Sequence, residues 1–132
     1  MKSILFDSYA ILSFYQDEKG AGTVEELLRS SKKGELPACM SEINLGEVHY
    51  WTIRRVGLEN ARKRLEQFFE LPIRVIAPST ELILAAAELK AEYALSYADC
   101  FAAATAMKSS SAIVTGDPEF KKIAHLVEIV WI

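Results

Sequence analysis

The sequence predicts a three-layer α/β fold, in which helices cover both faces of a mostly parallel central sheet of about five strands. Short apolar segments alternate with longer segments of helical periodicity along the whole chain. This alternation is typical of parallel strands, because their crossover connections need about a dozen residues or more and are usually helical. The 132 residues, of which 51% are hydrophobic, predict one domain over residues 1–132 that buries a core without disulfides or a structural metal.

Two strands and two helices are predicted in the first third of the chain. Residues 3–6 form a short apolar run that is typical of a strand buried on both faces. A helix is expected to follow it and to end before Gly20. Thr23 is predicted to begin the next helix, because Glu26 completes a capping-box pattern three residues later. Residues 36–40 predict the second strand.

The middle of the chain predicts two further helices and a third strand. Ser41 is a favoured N-cap residue for a helix that extends to about Gly57. Apolar residues recur at helical spacing over residues 58–69 and indicate an amphipathic helix that ends before Pro72. Residues 73–77 are apolar and rich in β-branched side chains, so they predict a strand.

The last third predicts two long helices, two strands and a short helical turn. An apolar stripe after Pro78 predicts an amphipathic helix; its members are Leu82, Ala86, Leu89 and Tyr93. Residues 100–107 are apolar on every side, which indicates a helix buried within the protein. Residues 112–115 predict the fourth strand, Pro118 opens a short helix, and residues 127–132 predict the last strand.

Composition and charge exclude several classes of protein. The net charge of −3 argues against tight, charge-driven binding of nucleic acid by the whole molecule, but not against local basic patches. No apolar run approaches the roughly 18 residues that a membrane span needs, and Asp7 interrupts the first segment before a secretory signal develops. Cys39 and Cys100 lack metal-site spacing, so we expect reduced thiols in a cytoplasmic protein.

Two acidic residues come directly after predicted strands. Asp7 follows the first strand and Asp117 follows the fourth. Ligands of open parallel sheets bind outside the carboxyl ends of the strands, so both side chains are candidates for a functional site. Each also has a local explanation, because Asp is a favoured N-cap residue and Asp117 precedes a proline suited to the first position of a helix. Two carboxylates at the same edge of one sheet favour a shared site.

Two further acids lie on predicted helices. Glu47 shares a helical arc with Tyr50 and Trp51, where a carboxylate is costly unless it is paired or bound to a cation. The alternative is a Glu that reaches solvent or pairs with Arg54, seven residues later. Asp99 begins the buried helix, and the alternative for this residue is a capping box with the serine three positions earlier.

Four carboxylates at one site are typical of metal-dependent hydrolysis. Like charges close together raise one another's pKa, and a divalent cation removes that penalty. Oxygen ligands without Cys or His favour Mg²⁺ or Mn²⁺ over Zn²⁺, and such a site hydrolyses phosphodiesters. Ser8 and Thr115 are candidates for supporting hydroxyl groups; their alternative roles are turn formation and, for Ser8, helix initiation.

Four sequence segments, in this order and spacing, resemble the PIN domain family, and VapC-type toxins of prokaryotic toxin–antitoxin pairs in particular. The resemblance covers essentially the whole chain. The segments begin at Asp7 (Asp-Ser-Tyr-Ala-Ile-Leu), Ser41 (Ser-Glu-Ile-Asn-Leu-Gly-Glu-Val), Ser96 (Ser-Tyr-Ala-Asp-Cys-Phe-Ala-Ala-Ala) and Thr115 (Thr-Gly-Asp-Pro-Glu-Phe).

The resemblance implies an endoribonuclease that depends on Mg²⁺, with Mn²⁺ as a substitute. In that family the acidic pocket is formed at the positions that correspond here to Asp7, Glu47, Asp99 and Asp117, which we call the acidic quartet, with Asn44 and Thr115 as supports. It also implies a homodimer that is inhibited by a VapB-type antitoxin and acts on RNA. The alternative is a catalytically inactive PIN-like domain that binds protein or RNA through the same groove.

Two other features near Glu47 have more than one interpretation. Tyr50 and Trp51 are predicted to line a groove, to form a subunit contact or to pack in the core. Five basic residues against two acidic ones give a local charge of +3 on the neighbouring helices, which either guides a phosphate backbone or is an ordinary solvated surface. These residues are Arg54, Arg55, Arg62, Lys63 and Arg64, against Glu59 and Glu66.

Overall fold

The structure, a computed structural model, describes residues 2–132. Its strands are β1 (Ile4–Phe6), β2 (Ala38–Ser41), β3 (Arg74–Ile76), β4 (Ala112–Thr115) and β5 (Ile129–Trp131). Its α-helices are α1 (Ser8–Tyr15), α2 (Ala21–Lys32), α3 (Glu42–Val56), α4 (Leu58–Phe68), α5 (Thr80–Glu92) and α6 (Tyr97–Ser109). A 3₁₀ helix, Pro118–Ile123, connects β4 to β5.

The five strands form one sheet in the order β3-β2-β1-β4-β5, and all four pairings are parallel. The strands β1 and β4 are central neighbours, with Leu5 opposite Ile113 and Phe6 opposite Val114. The chain therefore leaves β1 and β4 side by side at the same edge of the sheet. This placement brings together the residues that follow those two strands.

The sheet divides the core into two layers, as the alternation of side chains along a strand requires. Leu5 and Ile113 belong to one apolar cluster, which includes residues of α5, α6 and the 3₁₀ helix. Ile4, Phe6 and Val114 belong to the other, which includes residues of α1 to α4. Helices thus cover both faces, and the predicted three-layer α/β fold with a five-stranded parallel sheet is confirmed.

The predicted elements agree with the structure except at some of their ends. The capping box predicted at Thr23 is wrong: α2 begins two residues earlier, at Ala21, with Gly20 as its N-cap and no side-chain capping bond. Gly20 has a φ of 93°, a left-handed conformation that glycine adopts without steric cost. The backbone turn therefore determines this helix start, and the Thr-x-x-Glu pattern does not.

None of the helices in residues 2–132 is long and apolar enough to cross a membrane.

Candidate active site

The carboxyl group of Asp7 is buried and bonded through both of its oxygens. Asp7 is only 1% exposed. Its Oδ1 accepts a hydrogen bond from the Ala10 N–H at 2.8 Å, which caps α1, and its Oδ2 accepts one from Thr115 Oγ1 at 2.5 Å. The capping role predicted for Asp7 is therefore present, and the second oxygen connects β1 to β4.

Burial raises the pKa of Asp7 from 3.8 to about 7, because a charged carboxylate loses its hydration inside the protein. The hydrogen bonds from Thr115 and Ala10 oppose this shift, whereas the negative charges of Asp99 and Asp117 add to it. The folded protein therefore favours the neutral form of Asp7 up to about neutral pH.

Thr115 connects Asp7 to Asp117. Thr115 is fully buried, and its Oγ1 accepts a hydrogen bond from the Asp117 N–H at 3.0 Å while donating to Asp7. Asp117 caps the 3₁₀ helix, since its Oδ1 accepts a bond from the Glu119 N–H at 2.9 Å. The prediction that Asp117 is an N-cap residue is confirmed, and Thr115 connects the carboxyl group of Asp7 to the backbone of Asp117.

Asp99 lies in the first turn of α6 and is half-buried. Ser96 caps this helix by accepting a hydrogen bond from the Asp99 N–H at 3.1 Å. Burial is the main cause that raises the pKa of Asp99 to about 6; the charges of Asp117, Glu47 and Glu119 contribute, and the Ser96 hydroxyl opposes. Asp99 therefore experiences the electrostatic field of the other members of the acidic quartet.

Asn44 holds the first turns of α3 against α1 and α6. It is fully buried, and its Nδ2 donates to Ser8 Oγ at 3.2 Å and to the Ala98 carbonyl oxygen at 3.3 Å. Ser8 Oγ in turn donates to the Asn44 carbonyl oxygen at 3.2 Å. Ser8 and Asn44, two of the three predicted supporting residues, thus connect α1, α3 and α6 beside Asp7, Glu47 and Asp99.

Glu47 is half-buried on α3 and forms no ion pair with Arg54. The Arg54 guanidinium instead lies over the Tyr50 and Trp51 rings, with its Cζ 5.0 Å and 5.5 Å from the two ring centroids. Tyr50 and Trp51 are exposed, so packing in the core is excluded for both of them.

The oxygen-only donor set suits a hard divalent cation, although its side chains are not arranged as a preformed ligand cluster. In residues 2–132, no three His, Cys, Asp or Glu side chains form a group that could hold a metal ion. The three ion pairs of this part of the chain leave the acidic quartet without a cationic partner: they join Glu25 to Arg29, Glu81 to Lys108 and Glu119 to Lys122. The four acids therefore have the ligand chemistry that a hard cation requires, but not the spacing of a formed metal site.

Tyr9 is a residue of this site that the sequence analysis did not identify. Its ring lies directly on the backbone of Gly116, between Thr115 and Asp117. A Cβ atom at Gly116 would therefore collide with Tyr9 Cε1. Tyr9 is 43% exposed, so it forms part of the surface beside the acids. The sequence signal for this contact was the glycine between a buried threonine and an acid.

A cavity of about 500 Å³ lies away from the acidic quartet. It is next to the amino-terminal ends of the strands, and the residues that line it include Ser3, Cys39, Arg74 and Ser111. None of the four acids lines it, so its size does not identify the active site.

The family model described as PIN domain matches residues 4–126 of the chain. No curated protein sequence matches it.

Solved structures with the same fold extend over nearly the whole chain. A DNA-bound VapBC complex from Salmonella typhimurium is 20% identical, with a TM-score of 0.76 and coverage of 98% of both chains. Mycobacterium tuberculosis VapC20, described as a toxin that cleaves the sarcin-ricin loop, is 21% identical, with a TM-score of 0.74 and coverage of 96% of this chain and 98% of that one. Rickettsia felis VapBC2, bound to promoter DNA, is 18% identical, with a TM-score of 0.72 and coverage of 95% of this chain and 96% of that one.

We expect Asp7→Asn to stabilise the cation-free protein at pH 8 by about 1–3 kcal/mol. The folded-state pKa of Asp7 lies above its unfolded value, so the free energy of unfolding falls as the pH rises from about 4 through about 7. The amide keeps an acceptor for the Ala10 N–H and carries no charge. Urea unfolding of both proteins in EDTA at several pH values measures the difference.

The matched control is Asp17→Asn, since Asp17 is exposed and makes no contact with the quartet. This variant should show the same pH dependence as the wild type. A wild-type stability that rises between pH 5 and 8 by the same amount as that of Asp7→Asn would contradict the effect assigned to the Asp7 charge.

We expect Gly116→Ala to destabilise the protein by about 1–2 kcal/mol, because the new methyl group must displace the Tyr9 ring. In a Tyr9→Ala background the same substitution should cost clearly less, since the collision is removed. A double-mutant cycle of chemical denaturation measures the coupling. Equal costs in the two backgrounds would show that Tyr9 does not limit the space at Gly116.

Proposed function

The chain belongs to the PIN domain family, and from this membership we propose that it is a divalent-metal-dependent endoribonuclease of the VapC toxin type. The main support is the acidic quartet: the charges of other members help to raise the pKa of Asp7 and of Asp99, and no ion pair within residues 2–132 includes any of the four. Uncompensated carboxylates at the carboxyl edge of a parallel sheet are the ligands that a hard cation requires. The similarity in fold to VapC20, described as a toxin that cleaves the sarcin-ricin loop, is consistent with this activity.

In this proposal Asp7, Glu47, Asp99 and Asp117 hold Mg²⁺, or Mn²⁺ in its place. When bound, the cation neutralises the charge that develops on the phosphate and lowers the pKa of water. Thr115 orients Asp7 and Asp117 through its single hydroxyl group. Without a cation, Asp7, with a pKa of about 7, is partly protonated at neutral pH, whereas Asp99, with a pKa of about 6, is protonated mainly below pH 6.

We further propose a homodimer, a VapB-type antitoxin as inhibitor, and the cytoplasm as the place of action. The antitoxin is supported by solved structures of this fold that are named VapBC complexes; the homodimer and the cytoplasm rest on membership of the PIN domain family. A cationic side chain of an inhibitor would satisfy the same unpaired carboxylates that a metal ion satisfies, because both supply positive charge. The antitoxin is therefore expected to reduce cleavage by competing with the cation for the quartet.

Asp7→Asn and Asp117→Asn are each expected to reduce RNA cleavage by about 100-fold or more, because each removes a charged oxygen ligand. EDTA should abolish cleavage by the wild type, and Mg²⁺ or Mn²⁺ should restore it. The measurement is digestion of total RNA followed by mapping of the new ends.

Asp17→Asn is the control for the loss of one carboxylate elsewhere, and it should cut like the wild type. Wild-type rates in both quartet variants would show that these acids are not catalytic. An intact wild type that binds RNA but never cuts it would instead support an inactive PIN-like binding module.

We expect Mg²⁺ or Mn²⁺ to raise the melting temperature of the wild type by about 5–10 °C at a concentration near 100 times Kd, since a ligand that binds only the native state stabilises it. The shift should be clearly smaller for Asp7→Asn and Asp117→Asn. Differential scanning fluorimetry against MgCl₂, with NaCl of equal ionic strength as control, measures it. Equal shifts in all three proteins would place the binding of the cation elsewhere.

A further inference from the structure

Tyr50, Trp51 and Arg54 form a compact exposed group on α3, which we call the aromatic–arginine stack. The two ring centroids are 5.7 Å apart with an interplanar angle of 31°, and the Arg54 guanidinium lies over both rings. The two rings are 43% and 48% exposed. Cation–π contacts of this kind hold a guanidinium in place while they leave its edge free.

The guanidinium of Arg54 has no anionic partner among residues 2–132. The ion pairs and side-chain hydrogen bonds in residues 2–132 do not include it. Stacking uses the flat face of the group, whereas its five N–H donors lie in the plane. The edge of Arg54 is thus available for a bidentate contact with phosphate, which is the anion geometry that arginine matches well.

The stack and Glu47 occupy the same face of α3. At about 100° per residue, Glu47, Tyr50, Trp51 and Arg54 fall within an arc of about 100°, and Arg54 is displaced from Glu47 by about 10 Å along the helix axis. A phosphate bound by Arg54 is therefore separate from the phosphate at the acidic quartet. Both nevertheless belong to one continuous surface.

The surrounding charge favours a polyanion as the occupant. Arg62 and Lys63, in the middle of α4, are exposed and have no carboxylate partner in the described chain. Arg64, by contrast, donates to the Tyr15 carbonyl oxygen at 3.0 Å and stacks on the Tyr15 ring, so its role is structural. The acidic quartet repels phosphate, and an RNA strand needs a separate positive contact to remain bound beside it.

We propose that the aromatic–arginine stack is a subsite that binds an RNA phosphate outside the acidic quartet. The inference rests on the proposed ribonuclease function and adds to it a positioning residue, Arg54, that acts on the strand and not on the scissile bond. Tyr50 and Trp51 hold the guanidinium and offer their free ring surfaces to an unstacked base.

The test measures the binding of a fluorescent single-stranded RNA of mixed sequence and about 12 nucleotides, with every protein in the Asp117→Asn background so that the RNA stays intact. Arg54→Ala should raise Kd about tenfold and reduce the slope of log K against log salt by about 0.7. Arg54→Lys should keep the slope but bind more weakly than the parent, because it retains the charge without the planar fork.

Arg55→Ala is the matched control. Arg55 is the next residue, has the same charge and is exposed, but it lies over neither ring of the stack. Its replacement should change Kd by less than about twofold. The melting temperature of Arg54→Ala should be close to that of the parent, as expected for an exposed side chain. Trp51→Leu, which removes one ring, is a second variant that should raise the Kd for RNA.

Kinetics with Asp117 restored separates this proposal from the ribonuclease assignment. Arg54→Ala should raise KM about tenfold and leave kcat within about twofold. If the wild type cuts RNA and Arg54→Ala behaves like Arg55→Ala, the subsite is wrong and the ribonuclease stands. If the wild type never cuts but its RNA binding depends on Arg54, the ribonuclease is wrong and the subsite stands.

Sedimentation velocity tests the other occupant, a second copy of the chain. We expect the parent and Arg54→Ala to have the same mass in solution. A changed mass in Arg54→Ala with an unchanged RNA Kd would identify the stack as a contact between copies and overturn the proposal.

Discussion

The buried carboxyl group of Asp7 is the constraint on which the rest of the site depends. It lies where the central strand β1 ends, between two apolar layers that exclude the water a carboxylate prefers. Its oxygens accept bonds from Ala10 and Thr115, yet these bonds do not offset the cost of burial, because the pKa remains raised to about 7. The protein thus keeps an acid where a neutral side chain would cost less free energy, and this cost is the physical reason for proposing that Asp7 binds a cation.

Capping and ligand binding are compatible roles for these acids. Asp7 and Asp117 each use one oxygen to cap the helix that follows them, and this bond restricts the rotamer of the side chain. A carboxylate has about four lone-pair positions, so one or two hydrogen bonds leave capacity for a cation. The short connection from strand to helix therefore fixes a carboxylate at the edge of the sheet. The same residue can in this way begin a helix and belong to a functional site.

The sequence predicted the features that depend on chain order and periodicity. Strand alternation placed Asp7 and Asp117 at one edge, because neighbouring parallel strands must end on the same side, and helical spacing placed Glu47 with Tyr50 and Trp51. It did not predict the start of α2, where a left-handed Gly20 overrides a capping pattern. It also did not predict the contact of Tyr9 with Gly116. Nor did it predict that Arg54 stacks on two aromatic rings and does not pair with Glu47. Those outcomes depend on side-chain distances between separate elements, which periodicity does not encode.

The choice made by Arg54 has a consequence for the charge of the site. Had Arg54 paired with Glu47, the quartet would be partly neutralised and the surface of α3 would have no free guanidinium. Stacking on Tyr50 and Trp51 leaves both charges unpaired, so negative and positive potential are separated along one helix face by about 10 Å. A phosphodiester chain is attracted at one end of that face and repelled at the other until a cation binds. In the proposed ribonuclease, this order of charges along α3 would make retention of the RNA strand depend on occupancy of the acidic quartet by a cation, without any movement of the fold.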